Sequence, residues 1–152
     1  MTFSLIARCP DTGQFGIAAA TPVPAVGKLL TQAVAGVGAV ATQAKLNPYI
    51  GIDGVRLLQN GRPAREVMEI LRDQDPGAEH RQFAVIDRAG RTAAFTGRDC
   101  LQWAGHREHD GLSVQGNRLT GADVLERVAE CYRASAGKAF DERLMEALEA
   151  GD

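Results

Sequence analysis

Charge of one sign is never concentrated in this sequence. The 17 Lys and Arg residues stand against 19 Asp and Glu, a formal net charge of −2, and neither sign gathers into a block that would grip a phosphate backbone. Nucleic acid is therefore not an expected partner. Long apolar runs are missing as well: nothing approaches the ~18 consecutive apolar residues of a membrane span, so no membrane association is expected. The opening MTFSLIARCP lacks the basic and apolar regions of a secretory leader, which makes the cytoplasm the expected location. Cysteine is sparse: Cys9, Cys100 and Cys131 are odd in number and far apart, without C-x-x-C or a His at ligand spacing. Neither a disulfide framework nor a zinc site is signalled, and the three read as reduced, structural thiols. No internal repeat or low-complexity segment is present, and no cofactor is called for.

What remains is an ordinary globular composition. With 152 residues, 45% apolar and 24% charged, the chain has the size of one domain with one core, spanning 1–152. Thr2 to Ala7 is apolar and partly β-branched, Pro10-Asp11-Thr12-Gly13 supplies turn chemistry, and Phe15 to Ala20 is apolar again, which reads as a β-hairpin. Neither arm alternates with polar residues, so both faces of these strands are expected to be covered. Ala25 to Val34, after Pro22 and Pro24, reads as a short helix or an irregular segment. Gly36 to Ala44 is Gly/Ala-rich and predicts a central strand approached closely by other backbone. A helix is expected from Asn47-Pro48-Tyr49 to Asn60-Gly61, and another from Pro63 to Asp75. Together they form a pair on one face of a sheet.

Gln82 to Ile86 and Thr92 to Thr96 flank Asp87-Arg88-Ala89-Gly90, a second hairpin. Gly97 to Gly111 reads as a loop and Leu112 to Asn117 as a strand. Thr120 with Asp123 resembles a capping box opening a helix through Tyr132, which Ser135-Ala136-Gly137 ends. Phe140 to Leu148 is the last helix. Hairpins and helices in this order predict an α+β layered fold on antiparallel sheets, not a doubly wound parallel sheet.

Several runs, in the same order, resemble bacterial members of the DUF1028 family. They are Thr2-Phe3-Ser4-Leu5-Ile6-Ala7-Arg8, Gly36 to Ala44 with Asn47-Pro48, Phe95-Thr96-Gly97, Trp103-Ala104-Gly105-His106 and Val114-Gln115-Gly116-Asn117. The resemblance covers nearly the whole chain. It implies a place among the N-terminal nucleophile (Ntn) hydrolases and their four-layer αββα sandwich of antiparallel sheets. This chain departs from the family pattern in two ways. Similar proteins usually continue past Asp152 with a Gly/Arg-rich stretch and another apolar strand, so a shorter form or a missing C-terminal strand is expected. Cys9 also stands where an acidic residue is common.

An Ntn hydrolase uses a Thr, Ser or Cys at the first position of the mature chain, with its own α-amine as general base. Thr2 is preceded only by Met1, and a small second residue permits methionine removal. If Met1 stays, the Thr2 nitrogen is an amide without a basic lone pair. The resemblance thus implies an amidohydrolase acting on a C–N bond of a small or peptide-like amide, with Thr2 as nucleophile. The alternative is a non-catalytic binding or assembly protein on the same fold.

Oxyanion donors would come from backbone near Gly36 and Gly38, or from Gln43 and Asn117. For those two side chains the competing reading is the pairing of buried backbone groups. Thr21 reads either as a neighbour of Thr2 across the hairpin or as a turn residue before Pro22. Thr42 is a second-tier substrate-binding residue and Trp103 a pocket wall or packing residue. His106 and His109 in a polar loop suggest a metal or proton shuttle, but their spacing matches no ligand pattern, and His80 reads as a surface residue. Exposed sheet edges point to a homo-oligomer, a dimer.

Overall fold

The computed structural model describes residues 1–152. Strand β1 (Thr2–Arg8) turns back into β2 (Phe15–Ala20), closed by hydrogen bonds from Cys9 N to the Gln14 carbonyl at 2.8 Å and from Gly13 N to the Cys9 carbonyl at 2.9 Å. Gly13 has φ +73°, a left-handed conformation that only glycine adopts without a steric penalty. A short helix α1 (Gly27–Leu30) and strand β3 (Thr31–Val34) follow, then β4 (Gly38–Ala44), α2 (Pro48–Gln59) and α3 (Ala64–Gln74). A 3₁₀ turn at Ala78–His80 leads into β5 (Arg81–Asp87) and β6 (Thr92–Thr96). The chain then forms β7 (Gly105–His109), β8 (Leu112–Asn117), α4 (Asp123–Ala134) and α5 (Phe140–Ala150).

These strands make two antiparallel four-stranded sheets, in the orders β2-β1-β8-β7 and β3-β4-β5-β6. The sheets face each other, β1 and β8 lying against β4 and β5; α4 and α5 cover the outside of the first sheet, α2 and α3 the outside of the second. Strand alternation sorts the core accordingly. Phe3, Leu5, Ala7, Leu112 and Val114 meet Leu125, Val128 and Leu144 of the helices. Val40, Phe83 and Val85 meet Ile50, Val67 and Leu71. Each large side chain buried this way contributes about 1.5–3 kcal/mol. Consecutive apolar residues in β1 follow from this layering, since one face meets helices and the other meets a sheet. Gly38 behaves as its composition suggests, because a Cβ there would run into the Ile86 carbonyl of the neighbouring strand.

Between the sheets the layer changes character along its length. Ile6, Ala39, Ala84, Ile86 and Ala94 make one end apolar. At the other end Ser4, Gln43, Gln82, Gln115 and Asn117 are all buried. Thr2 lies at this polar end.

The chain differs from the sequence expectations in three places. The Ala25–Val34 segment contains β3, an edge strand of four residues. Within the Gly97–Gly111 loop runs β7, paired with β8 from Gly105↔Gly116 to His109↔Leu112. The capping box does not form: Ala122 occupies the cap of α4 in helical conformation with no side-chain bond. Asp123 instead reaches Arg127 one turn on, at 2.5 Å. No helix is long and apolar enough to cross a membrane.

Candidate active site

Because side chains alternate along β1, Thr2 shares the inter-sheet face of Ser4 and Ile6. Its strand is an inner one. Register places Asn117 of β8 opposite Thr2 and Ala20 of β2 opposite Phe3, so Thr21 emerges beside Thr2. The two hydroxyl oxygens share a hydrogen bond at 2.9 Å. Thr2, Thr21 and Asn117 open onto one pocket of about 620 Å³, bordered also by Lys45, His80, Cys100 and Arg118.

Behind this pocket lies a paired network centred on Gln82. Its Oε1 accepts from Asn117 Nδ2 at 3.0 Å and Gln43 Nε2 at 2.8 Å. Its Nε2 donates toward the Gly116 carbonyl at 2.8 Å, the Gly105 carbonyl at 3.0 Å and Thr96 Oγ1 at 2.9 Å. Ser4 Oγ donates to Gln43 Oε1 at 2.7 Å and accepts from Gln115 Nε2 at 2.7 Å. Buried amides this well satisfied rigidify their surroundings, because breaking one bond strands a desolvated partner. The network therefore fixes Asn117 at the pocket wall.

Backbone strain collects at the same place. Three non-glycine residues have positive φ, and two of them, Ala44 at 71° and Arg118 at 56°, line this pocket. Conformations of this kind cost on the order of 1 kcal/mol and persist where the surroundings enforce them, commonly at functional sites. Lys45 and Arg118 bring positive charge to the rim, while His80 Nδ1 lies 3.8 Å from Asp99 Oδ2. Burial pushes the Cys100 thiol above its ordinary pKa, and Cys100 Sγ donates to the Arg81 carbonyl at 3.2 Å. The Cys100 thiol is thus held as a protonated donor to backbone.

The other residues singled out in the sequence lie elsewhere. Gln43 is buried behind the pocket, engaged with Ser4, Gln82 and the Gln115 carbonyl, and does not itself reach the pocket. Thr42, one residue earlier, points the opposite way with Val40, toward α2 and α3, and its buried hydroxyl has no partner. Trp103 packs against the core beneath α4 and α5, its ring covering Gly105. Gly36 and Gly38 are at the far end of β4, about 20 Å from Ala44 at ~3.3 Å per residue, and so offer no oxyanion donor to Thr2. His106 binds Thr96 Oγ1 through Nδ1 at 2.9 Å, and no group of three His, Cys, Asp or Glu side chains is arranged to hold a metal. Sequence reasoning missed Gln82, which begins the apolar run of β5 with no motif around it, and the rim residues Lys45 and Arg118. A larger cleft of about 780 Å³ at the other end of the sandwich includes Arg8, Phe15 and Gly36. The buried network and the strained backbone, not volume, distinguish the Thr2 pocket.

Residues 2–152 match DUF1028, a family of unknown function. The chain belongs to this family. Its structure superposes on the crystal structure of a DUF1028 protein from Silicibacter pomeroyi with a TM-score of 0.94 and 31% sequence identity, covering 99% of this chain and 69% of the other. A comparison with functionally curated proteins finds no match. For this DUF1028 chain, function therefore has to be argued from the pocket itself.

Proposed function

We propose that this protein is an Ntn-type amidohydrolase that cleaves a C–N amide bond of a small or peptide-like substrate, with Thr2 as N-terminal nucleophile after removal of Met1. The observation that carries this reading is the Thr2 hydroxyl at the start of an inner strand, 2.9 Å from Thr21 Oγ1, opening onto a pocket backed by buried amides. Two antiparallel sheets between helices agree with the αββα sandwich of that superfamily.

The freed α-amine of Thr2 takes the Oγ1 proton as Oγ1 attacks the carbonyl carbon. Asn117, whose second Nδ2–H is not used by Gln82, donates to the oxyanion of the tetrahedral intermediate. As the intermediate collapses, the C–N bond breaks and the departing amine takes the proton from the Thr2 ammonium. Water then attacks the Thr2 ester, giving up a proton to the amine. The C–O bond breaks, releasing the acid and restoring Thr2. Thr21 holds the hydroxyl in place, and Gln43 is a positioning residue acting through Gln82. Lys45 and Arg118 favour a substrate with a negative group near the scissile bond. Free cysteines at positions 9, 100 and 131 fit a reducing cytoplasm, and the open sheet edges fit a homodimer.

A binding protein without chemistry is the competing reading, which a retained Met1 would favour. Release of amine from a panel of small amides and dipeptides, by Met-free chain and by its Thr2→Ala and Thr2→Ser variants, separates the two. The enzyme reading expects turnover, lost by several orders of magnitude in Thr2→Ala and partly kept in Thr2→Ser. Equal release by the parent and Thr2→Ala rejects Thr2 as nucleophile.

A further inference from the structure

At the other end of β1 three arginines line one pocket, with Asp110 as the single carboxylate among them. A pocket of about 280 Å³ is enclosed by Arg8, the Ala89-Gly90 turn, Asp110-Gly111, Tyr132 and Arg133 of α4, and Arg143 of α5. Five buried side-chain polar atoms in the molecule have no hydrogen-bond partner. Four of them are Arg8 Nε, Arg143 Nε, Tyr132 Oη and His109 Nε2. The first three belong to the pocket's own lining, and His109 Nδ1 lies 3.4 Å from Arg133 Nη1.

None of the three arginines has a carboxylate within ion-pair distance, although Asp110 is in the lining and the molecule pairs most of its other arginines. Tyr132 is only 5% exposed, and its ring is covered by the Arg143 guanidinium, 4.2 Å from the centroid. Arg143 Nη2 donates to the Tyr132 carbonyl at 3.1 Å, so both side chains are held while Nε and Oη stay unspent. Arg8 is likewise confined, its stem against Gly90 and its guanidinium against Gly13.

A desolvated guanidinium N–H and a buried hydroxyl without partners each cost stability, and here they belong to residues of β1, α4 and α5 that line one pocket. We propose that this pocket is a binding site for a tetrahedral oxyanion, free phosphate or the phosphate group of a small ester, held by Arg8, Tyr132 and Arg143 with Arg133 at its mouth. Donors on three side chains are better matched by a phosphate, with three or four oxygens, than by a carboxylate, which offers two. Burial raises the Tyr132 pKa, which keeps the phenol a donor. Since Thr2 and Arg8 are the ends of one strand, the site is about 20 Å from the Thr2 pocket at ~3.3 Å per residue. It binds whether or not Thr2 is catalytic.

Titration calorimetry of the whole protein with inorganic phosphate and with glycerol phosphate, using acetate as control, tests this. Phosphate is expected to bind and acetate not. Tyr132→Phe, which keeps the ring and loses one donor, should weaken binding about tenfold. Arg143→Lys, which keeps the charge and loses Nε, should weaken it by ~10-fold or more. In phosphate-free buffer Tyr132→Phe should melt no lower than the parent, because it removes an unpaired hydroxyl; in phosphate it should melt lower. Tighter binding of the ester identifies a phosphate ester as the ligand, and equal binding identifies free phosphate. No heat with either, or phosphate binding unchanged in both variants, overturns the proposal.

Discussion

At the scale of single residues, Gln82 concentrates more dependence than any motif residue. Its one oxygen serves both Gln43 and Asn117, so Gln82→Leu leaves Asn117 Nδ2 without an acceptor and Gln43 Nε2 with only the Gln115 carbonyl at 3.3 Å. A loss of about 3 kcal/mol is expected from stranded polar groups at a fully buried site, read by urea denaturation. A change within ±0.5 kcal/mol would show that the network is not holding the wall. Thr2, Thr21 and Asn117 stand out in the sequence as polar residues at strand ends, and neighbouring strands of one sheet, β2, β1 and β8, bring them to one pocket. Gly36 and Gly38 misled for the complementary reason. They are attached to the same strand as Gln43, but a seven-residue strand separates its ends by about 20 Å, and composition does not tell which end faces Thr2.

Among the elements, legibility followed the apolar pattern. The β1–β2 hairpin, both central strands and four helices carry apolar residues at strand or helix spacing. Strand β7 carries none: His106 and Glu108 face Thr96 and Ala94 of the second sheet. Arg107 on its other face pairs with Glu126 of α4 at 2.6 Å. A strand polar on both faces has no period-two signal. Helix caps show the same limit. Asn47 Oδ1 accepts from Tyr49 N at 3.1 Å at the start of α2, and its Nδ2 donates to Asp75 Oδ2 at 3.1 Å, whereas Thr120 makes no cap. Asn47→Ala should therefore cost about 1–2 kcal/mol and Thr120→Ala less than ~0.5 kcal/mol. Chemical denaturation of the pair checks this ordering; a larger loss for Thr120→Ala would mean that the capping box forms after all.

For the molecule as a whole, the sandwich was legible as α+β layering while its polar inter-sheet end was not, because hydrophobic patterning is silent about where buried amides meet. The same layering sets the response to acid. Burial lowers the pKa of His106, outweighing the opposing pull of Glu108, and burial also lowers that of His109, beside Arg133. The unfolded chain therefore binds more protons at these positions below its own histidine pKa of ~6.5. Stability contributed by the neutral rings is complete above that pH and is lost as pH falls through and below it. A second loss follows at lower pH. Asp75 resists the upward push of burial because Arg81, Gly77 N–H and Asn47 bind its carboxylate, and its pKa ends below the ordinary value. That contribution is present above ~3.9 and disappears as the carboxylate protonates. Melting temperature followed from pH 8 downward should bend first near pH ~6.5, with the bend reduced in His106→Gln. A profile flat through that range would contradict the burial of these rings.

The central claim, that Thr2 acts as nucleophile and base together, depends on a free α-amine at that residue. Intact-mass spectrometry of the protein isolated from its own cell measures this directly. The account predicts a chain lighter by one methionine residue, with Thr2 at its N-terminus. A mass that retains Met1 would contradict it, since the Thr2 nitrogen would then be an amide with no lone pair to take the hydroxyl proton.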